Sequence, residues 1–118
     1  MRIKDVRLYP VNFAVKPEFV IQTTLGVHSS SHYVMVALEC SDGTIGWGEA
    51  TVVPIWSGET QGSAMAALKE IIIPVLRGRD PFDVEQIMGD VDKALVGNAF
   101  TKAAVEMALL DAVGKHLN

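Results

Sequence analysis

The chain has 118 residues with a formal net charge of −4, and 49% of them are hydrophobic and 20% charged. This length predicts one domain with a modest core, because folding of such a chain buries roughly two-thirds of its unfolded surface. The apolar content excludes a disordered chain, and the negative charge argues against a nucleic-acid surface, which leaves small neutral or anionic partners.

The use of cysteine and the lack of long apolar runs bear on the compartment. Cys40 is the single cysteine, so it forms no intrachain disulfide, as is typical of a reducing cytoplasm. We interpret it as a small buried hydrophobe. No segment approaches the roughly 20 apolar residues of a membrane span. The sequence therefore predicts a cytoplasmic protein without a membrane segment.

The first half of the chain predicts a three-stranded antiparallel meander. Residues 3–13 mix β-branched, aromatic and charged side chains, and Pro10 indicates an edge strand or a bulged one. Residues 32–40 form a strand that is apolar on both faces. The turn at residues 41–43 contains Asp-Gly, a hairpin signal because glycine adopts the positive φ of the turn, and residues 44–49 form the third strand.

Residues 14–31 separate the first two strands and are rich in proline, glycine, serine and threonine. This length is unusual for a plain connection. Loops of this kind often carry function, so the segment predicts a flap that covers something.

The second half predicts a bundle of three or more helices, and strands followed by helices indicate a segregated α+β domain. Thr60 or Ser57 can cap the first helix, which Pro74 should kink or end. Asp80 as N-cap with Pro81 at the first helical position predicts the start of the second helix.

The last helix is predicted over residues 99–117 and is apolar nearly all round. A helix with this pattern is buried on several sides. Three strands and two other helices can cover only part of it, so the pattern predicts a further partner surface.

Candidate catalytic and metal-binding groups are few. His28 and His32 lie four apart, but the three serines between them favour loop and strand over a metal-binding helix. Asp111 is interpreted as a buried acceptor for a neighbouring backbone group, and His116 as a cation at the C-terminal end of the last helix. We expect no catalytic residue and no metal ligand on this chain.

Two further stretches leave alternatives open. Gly46 and Gly48 do not have the spacing of a phosphate-binding loop, and glycine in a strand more often permits a bulge or a close backbone approach. Residues 52–56, Val-Val-Pro-Ile-Trp, are compatible with domain core and equally with a lid or partner-facing patch that excludes water from a site.

Four motifs carry a resemblance to a known family: SDGTIGWGEA at residues 41–50, SGET at 57–60, GNAF at 97–100 and AAVEMALLDAVGK at 103–115. In this order they resemble the N-terminal capping domain of the enolase superfamily, in its mandelate racemase and muconate-lactonizing branch. The resemblance covers nearly all of the chain. The second half is most similar to muconate and chloromuconate cycloisomerases, with dipeptide epimerases and the succinylbenzoate synthase and acylamino-acid racemase group as competitors.

The resemblance implies a domain that covers a β/α barrel, which follows in the same chain and is absent here. The barrel would supply lysine bases and the carboxylates that hold Mg²⁺, for proton removal beside the carboxylate of a small substrate through an enolate. The chain alone is therefore expected to be inactive. Its partners would be the barrel, the substrate and further copies in a homo-oligomer, and the barrel or a neighbouring subunit would cover the last helix.

The resemblance also places two specificity loops over the mouth of the barrel. Their side chains would shape the substrate pocket and keep water out, although a carboxylate would repel an anionic substrate. The residues are Glu18, Phe19 and Thr23 on the flap, and Val53, Ile55 and Trp56 on the second loop.

An alternative interpretation assigns the same apolar surface to a different class of protein. On that interpretation, the chain is an autonomous small-molecule binding or oligomerisation module without catalysis.

Overall fold

The computed structural model describes residues 1–23, 26–28 and 30–118, with side chains at all of these positions except 23, 26 and 28. A three-stranded sheet is followed by helices, so the predicted α+β class is confirmed. The strands are β1 (Ile3–Ala14), β2 (Ile21–Thr23), β3 (Gly26–His28), β4 (Ser30–Cys40) and β5 (Ile45–Thr51), and the helices are α1 (Pro54–Ser57), α2 (Gln61–Ala67), α3 (Ile73–Leu76), α4 (Val84–Ala94) and α5 (Ala99–Leu117).

The main sheet has the order β1-β4-β5, and both pairs are antiparallel. The predicted meander is therefore confirmed. Strand β1 lies at one edge, where Pro10 removes no hydrogen bond from the interior of the sheet, and it carries a bulge between Ile3 and Asp5. Gly43 in the predicted turn has a φ of 89°, and the Asp42 carboxylate accepts a bond of 3.0 Å from the Thr44 amide.

The flap contains more regular structure than the sequence indicated. A 3₁₀ turn spans Pro17–Phe19, and β2 pairs with β3 in a small hairpin, where Ile21 lies opposite His28. Strands β1 and β4 remain paired to Ala14 and Ser30, so the ladder extends beyond its predicted ends. The domain is correspondingly flat and elongated, with extents of 44 × 31 × 19 Å.

Helix α2 begins at the predicted cap. The Ser63 amide donates to the Thr60 hydroxyl over 3.0 Å, and the Thr60 amide donates to the Ser63 hydroxyl over 2.9 Å. This reciprocal pair satisfies two amides that the first turn of a helix leaves without partners.

Pro74 bends the helical segment without ending it at once. Residues 68–72 between α2 and α3 form a π-helical turn, in which the Ile73 amide donates to the carbonyl of Leu68. Proline has no amide hydrogen to donate to the preceding turn, and a π turn accommodates the missing bond. The segment ends two residues later, at Leu76.

The predicted start of the second helix was wrong. Asp80 accepts the Phe82 amide through its carboxylate and the Asp83 amide through its carbonyl, both over 3.0 Å. These bonds close a turn over residues 80–83, because aspartate readily bonds to backbone amides two and three residues ahead. Helix α4 therefore begins at Val84, with Asp83 as its N-cap residue.

The core lies between one face of the sheet and the helices. Strand β4 contributes Val34, Val36, Leu38 and Cys40, all fully or almost fully buried. Burial raises the pKa of the Cys40 thiol, as expected of a small buried hydrophobe. Within the described residues, no helix combines the length and apolar character needed to cross a membrane.

Helix α5 packs on β5 at very close range. A Cβ atom at Gly46 would overlap the backbone carbonyl of Ala108, and one at Gly48 would overlap that of Ala104. Glycines and alanines thus bring the helix and strand backbones together, which confirms the predicted close approach. The opposite side of α5 leaves Met107 and Leu110 about half exposed, at 46% and 54%.

Candidate substrate-binding site

A pocket of about 380 Å³ lies between the β2–β3 hairpin and the loop that leads from β5 into α1. Most of its wall is apolar, and its polar groups are a serine, a histidine and a threonine. The lining residues are Ile21, Val27, Ser30, His32, Thr51, Val52, Val53, Pro54, Ile55 and Trp56.

Helix α1 is a single turn that presents the apolar wall of this pocket. Val53 is extended, with a φ of −132°, and its carbonyl accepts the amides of Trp56 and Ser57 over 3.0 Å each. Gly58 ends the turn in the left-handed region, with a φ of 76°. The turn leaves Ile55 and Trp56 each 59% exposed on the pocket side.

The structure resolves the two interpretations of residues 52–56 by dividing the segment. Val52 is buried at 3% exposure and belongs to the core, whereas Ile55 and Trp56 are exposed. Alternation of the extended backbone sends successive side chains to opposite sides before the turn begins. One apolar run therefore contributes to the core and to the pocket wall.

The predicted site residues divide into two groups. Val53, Ile55 and Trp56 line the pocket together. Glu18 and Phe19 lie on the exposed 3₁₀ turn, outside the lining of this pocket, and the side chain of Thr23 is outside the described part of the chain. Their roles remain predictions.

Sequence reasoning missed the flap residues that face the second loop. Ile21 and Val27 lie on β2 and β3, and they line the same pocket as Ile55. The available signal was the pair of short apolar stretches on either side of Gly26. Strands of three residues are too short for periodicity to distinguish them from a loop.

His32 is the polar group that the structure explains most fully. Its Nδ1 lies 2.7 Å from Oδ1 of Asn12, and its Nε2 lies 3.3 Å from the hydroxyl of Ser30. The described residues contain no group of three or more His, Cys, Asp or Glu side chains that could hold a metal ion. His32 therefore has a hydrogen-bonding role here.

A second groove of about 300 Å³ continues from the pocket along α5. Thr51, Val53 and Trp56 line both concavities. Beyond the indole, the wall of the second groove consists of Glu49, Phe100, Ala103 and Met107. The pocket is thus continuous with the exposed side of α5.

The family of the chain follows from its match to a family model, described as "Mandelate racemase / muconate lactonizing enzyme, N-terminal domain", over residues 4–118. The chain belongs to this family.

Relatives and solved structures agree with this membership. N-succinyl-L-Arg/Lys racemase from Bacillus cereus is 32% identical over 118 residues, which cover 100% of this chain and 31% of the relative. Chloromuconate cycloisomerase from Cupriavidus pinatubonensis is 39% identical over 90 residues, 75% of this chain and 24% of the relative. The crystal structure of the Bacillus cereus racemase superposes with a TM-score of 0.93 at 30% identity, over 100% of this chain and 31% of that one.

This mandelate racemase/muconate lactonizing enzyme N-terminal domain spans less than a third of the length of the curated relatives that it matches. The shared part contains both walls of the pocket and α5.

In this N-terminal domain, Glu59 fixes the start of α5 relative to α1. Its carboxylate accepts the Thr101 amide and hydroxyl over 2.9 and 2.7 Å, and the Phe100 amide over 3.1 Å. The side chain of the N-cap residue Asn98 donates to the carbonyl of Val96 and makes no capping bond to the helix, so Glu59 takes over that function from outside the helix.

Glu59 is 3% exposed, and its ionisation depends on those donors. Burial alone would raise the pKa of Glu59, but the bonds from Thr101, Ser57 and Phe100 outweigh burial and hold it below the ordinary value. Sequence reasoning did not predict this role, because Phe100 and Thr101 lie more than 40 residues further along the chain.

Two carboxylates attach the other end of α5 to the sheet. Asp111 contacts the Lys115 ammonium over 2.8 Å and accepts the Trp47 amide over 2.8 Å, and both bonds lower its pKa. The predicted backbone bond is confirmed, but Asp111 is partly exposed. The amide of Thr44 and then His116, 2.7 Å away, lower the pKa of Asp42 to about 2. His116 therefore has a specific anion partner as well as its position near the helix end.

Proposed function

We propose that this chain is the substrate-specificity cap of a magnesium-dependent enzyme similar to muconate cycloisomerases. The observation that carries the proposal is the pocket, in which Val53, Ile55 and Trp56 converge with apolar side chains from the flap. Walls of this kind exclude water and select substrate by shape. They are the residues that the resemblance assigns to specificity.

The other predicted flap residues complete the proposal. Glu18 and Phe19 are exposed on the 3₁₀ turn, and Phe19 presents a large apolar ring to its surroundings. We assign them, with Thr23, to the part of the flap that meets the mouth of the barrel. The carboxylate of Glu18 would accept a hydrogen bond from a donor on the barrel, whereas it would repel an anionic substrate.

Magnesium requires oxygen ligands that converge on one point. The described residues contain no such group of carboxylates, so they do not fit the ion. We therefore assign the metal and the bases to the barrel, and we assign to this chain substrate binding, orientation and exclusion of water.

The reaction that we propose is proton transfer beside the carboxylate of a small substrate, in a cytoplasmic enzyme. Cycloisomerisation is the first candidate, because chloromuconate cycloisomerase is 39% identical over the matched residues. Racemisation or epimerisation is the second, because a racemase is 32% identical over the whole chain. The cap is compatible with both, since the chemical step belongs to the barrel.

The exposed side of α5 supports a partner that continues the cap. Met107 and Leu110 are half exposed there, and Met107 lines the second groove together with Trp56. We propose that the barrel covers this surface, within a homo-oligomer. Contact there would place the reacting end of the substrate at the open side of the pocket.

A domain replacement tests the proposed function. The chain replaces the matched N-terminal third of the Bacillus cereus racemase. With magnesium present, NMR follows exchange of the α-proton with deuterated solvent in two substrates, N-succinyl-L-norleucine and N-succinyl-L-lysine. We expect proton exchange by the chimera and none by the chain alone. In a separate assay, the chain alone is mixed with magnesium and a muconolactone, and we expect no turnover.

The isolated remainder of the racemase and the intact racemase serve as controls. Turnover by the 118-residue chain on its own would contradict the assignment of the chemistry to the barrel. A folded chimera that exchanges no faster than the isolated remainder would contradict the capping role.

A further inference from the structure

We propose that the pocket between the β2–β3 hairpin and α1 receives an uncharged, apolar group of the substrate and disfavours a cationic one. The inference rests on the proposed function, because it names the substrate class that the cap selects.

The walls on both sides of the pocket are hydrocarbon or aromatic. Ile21 and Val27 from the flap lie opposite Ile55 and Trp56 from the second loop, and the volume of about 380 Å³ suits a side chain of several carbons. An apolar group that enters this space leaves water at no electrostatic cost. The walls therefore favour such a group.

The histidine of the pocket is held by two hydrogen bonds to the protein. Oδ1 of Asn12 can only accept, so Nδ1 of His32 carries the hydrogen of their 2.7 Å bond. Nε2 lies 3.3 Å from the Ser30 hydroxyl, and an imidazole ring carries no negative charge in either of these hydrogen-bonding arrangements. The remaining polar group, the Thr51 hydroxyl, donates to Glu49 over 3.5 Å. These groups are engaged with the protein and present no negative charge to a ligand.

Carboxylates are excluded from the pocket by sequence as well as by geometry. Residues 19–38 and 50–58 supply the whole lining and contain no aspartate or glutamate. Glu18 lies on the exposed 3₁₀ turn, Glu49 lines the second groove, and Glu59 is committed to α5. An ammonium or guanidinium group in the pocket would lose its water and meet no counter-charge among the described lining residues.

A matched pair of small molecules tests this selectivity on the chain itself. N-acetyl-L-norleucine and N-acetyl-L-lysine have the same backbone, including the carboxylate, and side chains of similar length. Only the side chain of the lysine derivative is cationic. Each is titrated into the labelled chain while the two indole N–H signals are followed by NMR. Trp56 reports on the pocket, and Trp47 is an internal control, because its ring lies beside Tyr9 outside the lining.

We expect the Trp56 signal to shift at about tenfold lower concentration of the norleucine derivative than of the lysine derivative, with Trp47 unchanged. Ile55→Asp places a carboxylate in the wall and should reduce that preference at least about fivefold. Val96→Asp adds the same charge at a residue that is 91% exposed and outside the lining, and it should leave the preference intact.

Equal affinity for both ligands, preference for the lysine derivative, or an unchanged preference in Ile55→Asp would overturn the inference. So would the lack of saturable binding by either ligand, because selection would then not belong to the pocket of this chain. These failures leave the chimera experiment unaffected. Conversely, a chimera that exchanges neither N-succinyl-L-norleucine nor N-succinyl-L-lysine, beside a chain with the expected preference, would contradict the capping role alone.

Discussion

Strand β5 and the turn that follows it have opposite characters. Along the strand, Gly46 and Gly48 pack against the backbone of α5 with no room for another atom. Beyond its end, the turn at Pro54–Ser57 presents Ile55 and Trp56 to an open pocket. The first region fixes the fold, whereas side chains in the second can change with little effect on it. The buried Glu59 connects them, because it follows α1 directly and holds the first turn of α5.

The largest expected effect comes from filling the space between strand and helix. Gly48→Val would push β5 away from α5, because its side chain would occupy the position of the Ala104 carbonyl. We expect a loss of about 3 kcal/mol in the free energy of unfolding, measured with urea. Gly89→Ala is the control, since Gly89 lies in α4 with open space around it. It should stabilise the domain by about 0.5 to 1 kcal/mol. A stable Gly48→Val variant would refute the proposed rigid contact.

Replacing the buried carboxylate is the next largest change. Glu59→Gln keeps the size of the side chain but removes the charge that three donors face, so we expect a loss of about 2 kcal/mol at pH 7. Glu85→Gln, at an exposed position in the first turn of α4, should have a much smaller effect. Equal losses from the two variants in urea unfolding would contradict the capping of α5 by Glu59.

The same pair of proteins carries a prediction about pH. The pKa of Glu59 is lower in the folded state than its ordinary value of 4.5, so the stabilisation is present above pH 4.5 and is lost as the pH falls through the folded pKa. The difference in unfolding free energy between wild type and Glu59→Gln should therefore shrink from pH 7 to pH 3. If this difference in unfolding free energy grows on acidification, the prediction that folding lowers the pKa of Glu59 is wrong.

Truncating the pocket wall should scarcely affect stability. Trp56 is 59% exposed, so Trp56→Ala should change the free energy of unfolding by less than about 0.5 kcal/mol. It should nevertheless abolish most of the binding of N-acetyl-L-norleucine, followed through the methyl signals of Ile21 and Ile55. Trp47→Ala is the matched control for loss of an indole outside the pocket. If Trp56→Ala unfolds the domain, the distinction between framework and pocket wall fails.

The smallest effect concerns the ion pair at the far end of α5. The Asp42 pKa of about 2 depends first on the Thr44 amide and then on His116. His116→Ala should therefore raise the pKa of Asp42 only part of the way to 3.8, as measured by NMR titration of the carboxyl carbon. A complete return to 3.8 would show that the backbone bond contributes nothing.

Much of the framework was predictable because its signals are local. Asp42-Gly43 predicted its turn, and residues 99–117 predicted a helix with the observed bounds. Thr60 was one of two predicted caps, with Ser57, and it is the N-cap of α2. The start of α4 was not predictable from the sequence. Asp80 can cap a helix or close a turn, and the same short-range bonds serve both. The pocket was predictable on one side only, because Ile55 and Trp56 form part of a recognisable apolar run, whereas the flap strands are too short for periodicity.

The sequence by itself determined the three strands of the main sheet, the turn between β4 and β5 and the helix α5, because alternation, helical period and turn chemistry act over a few residues. It also determined that the lining segments carry no carboxylate. Only the tertiary structure decided that Glu59 meets Thr101, 42 residues away, and that Gly48 lies under Ala104. It likewise decided which side chains face each other across the pocket. Such contacts depend on how the elements pack, and packing joins residues whose separation along the chain carries no local signal.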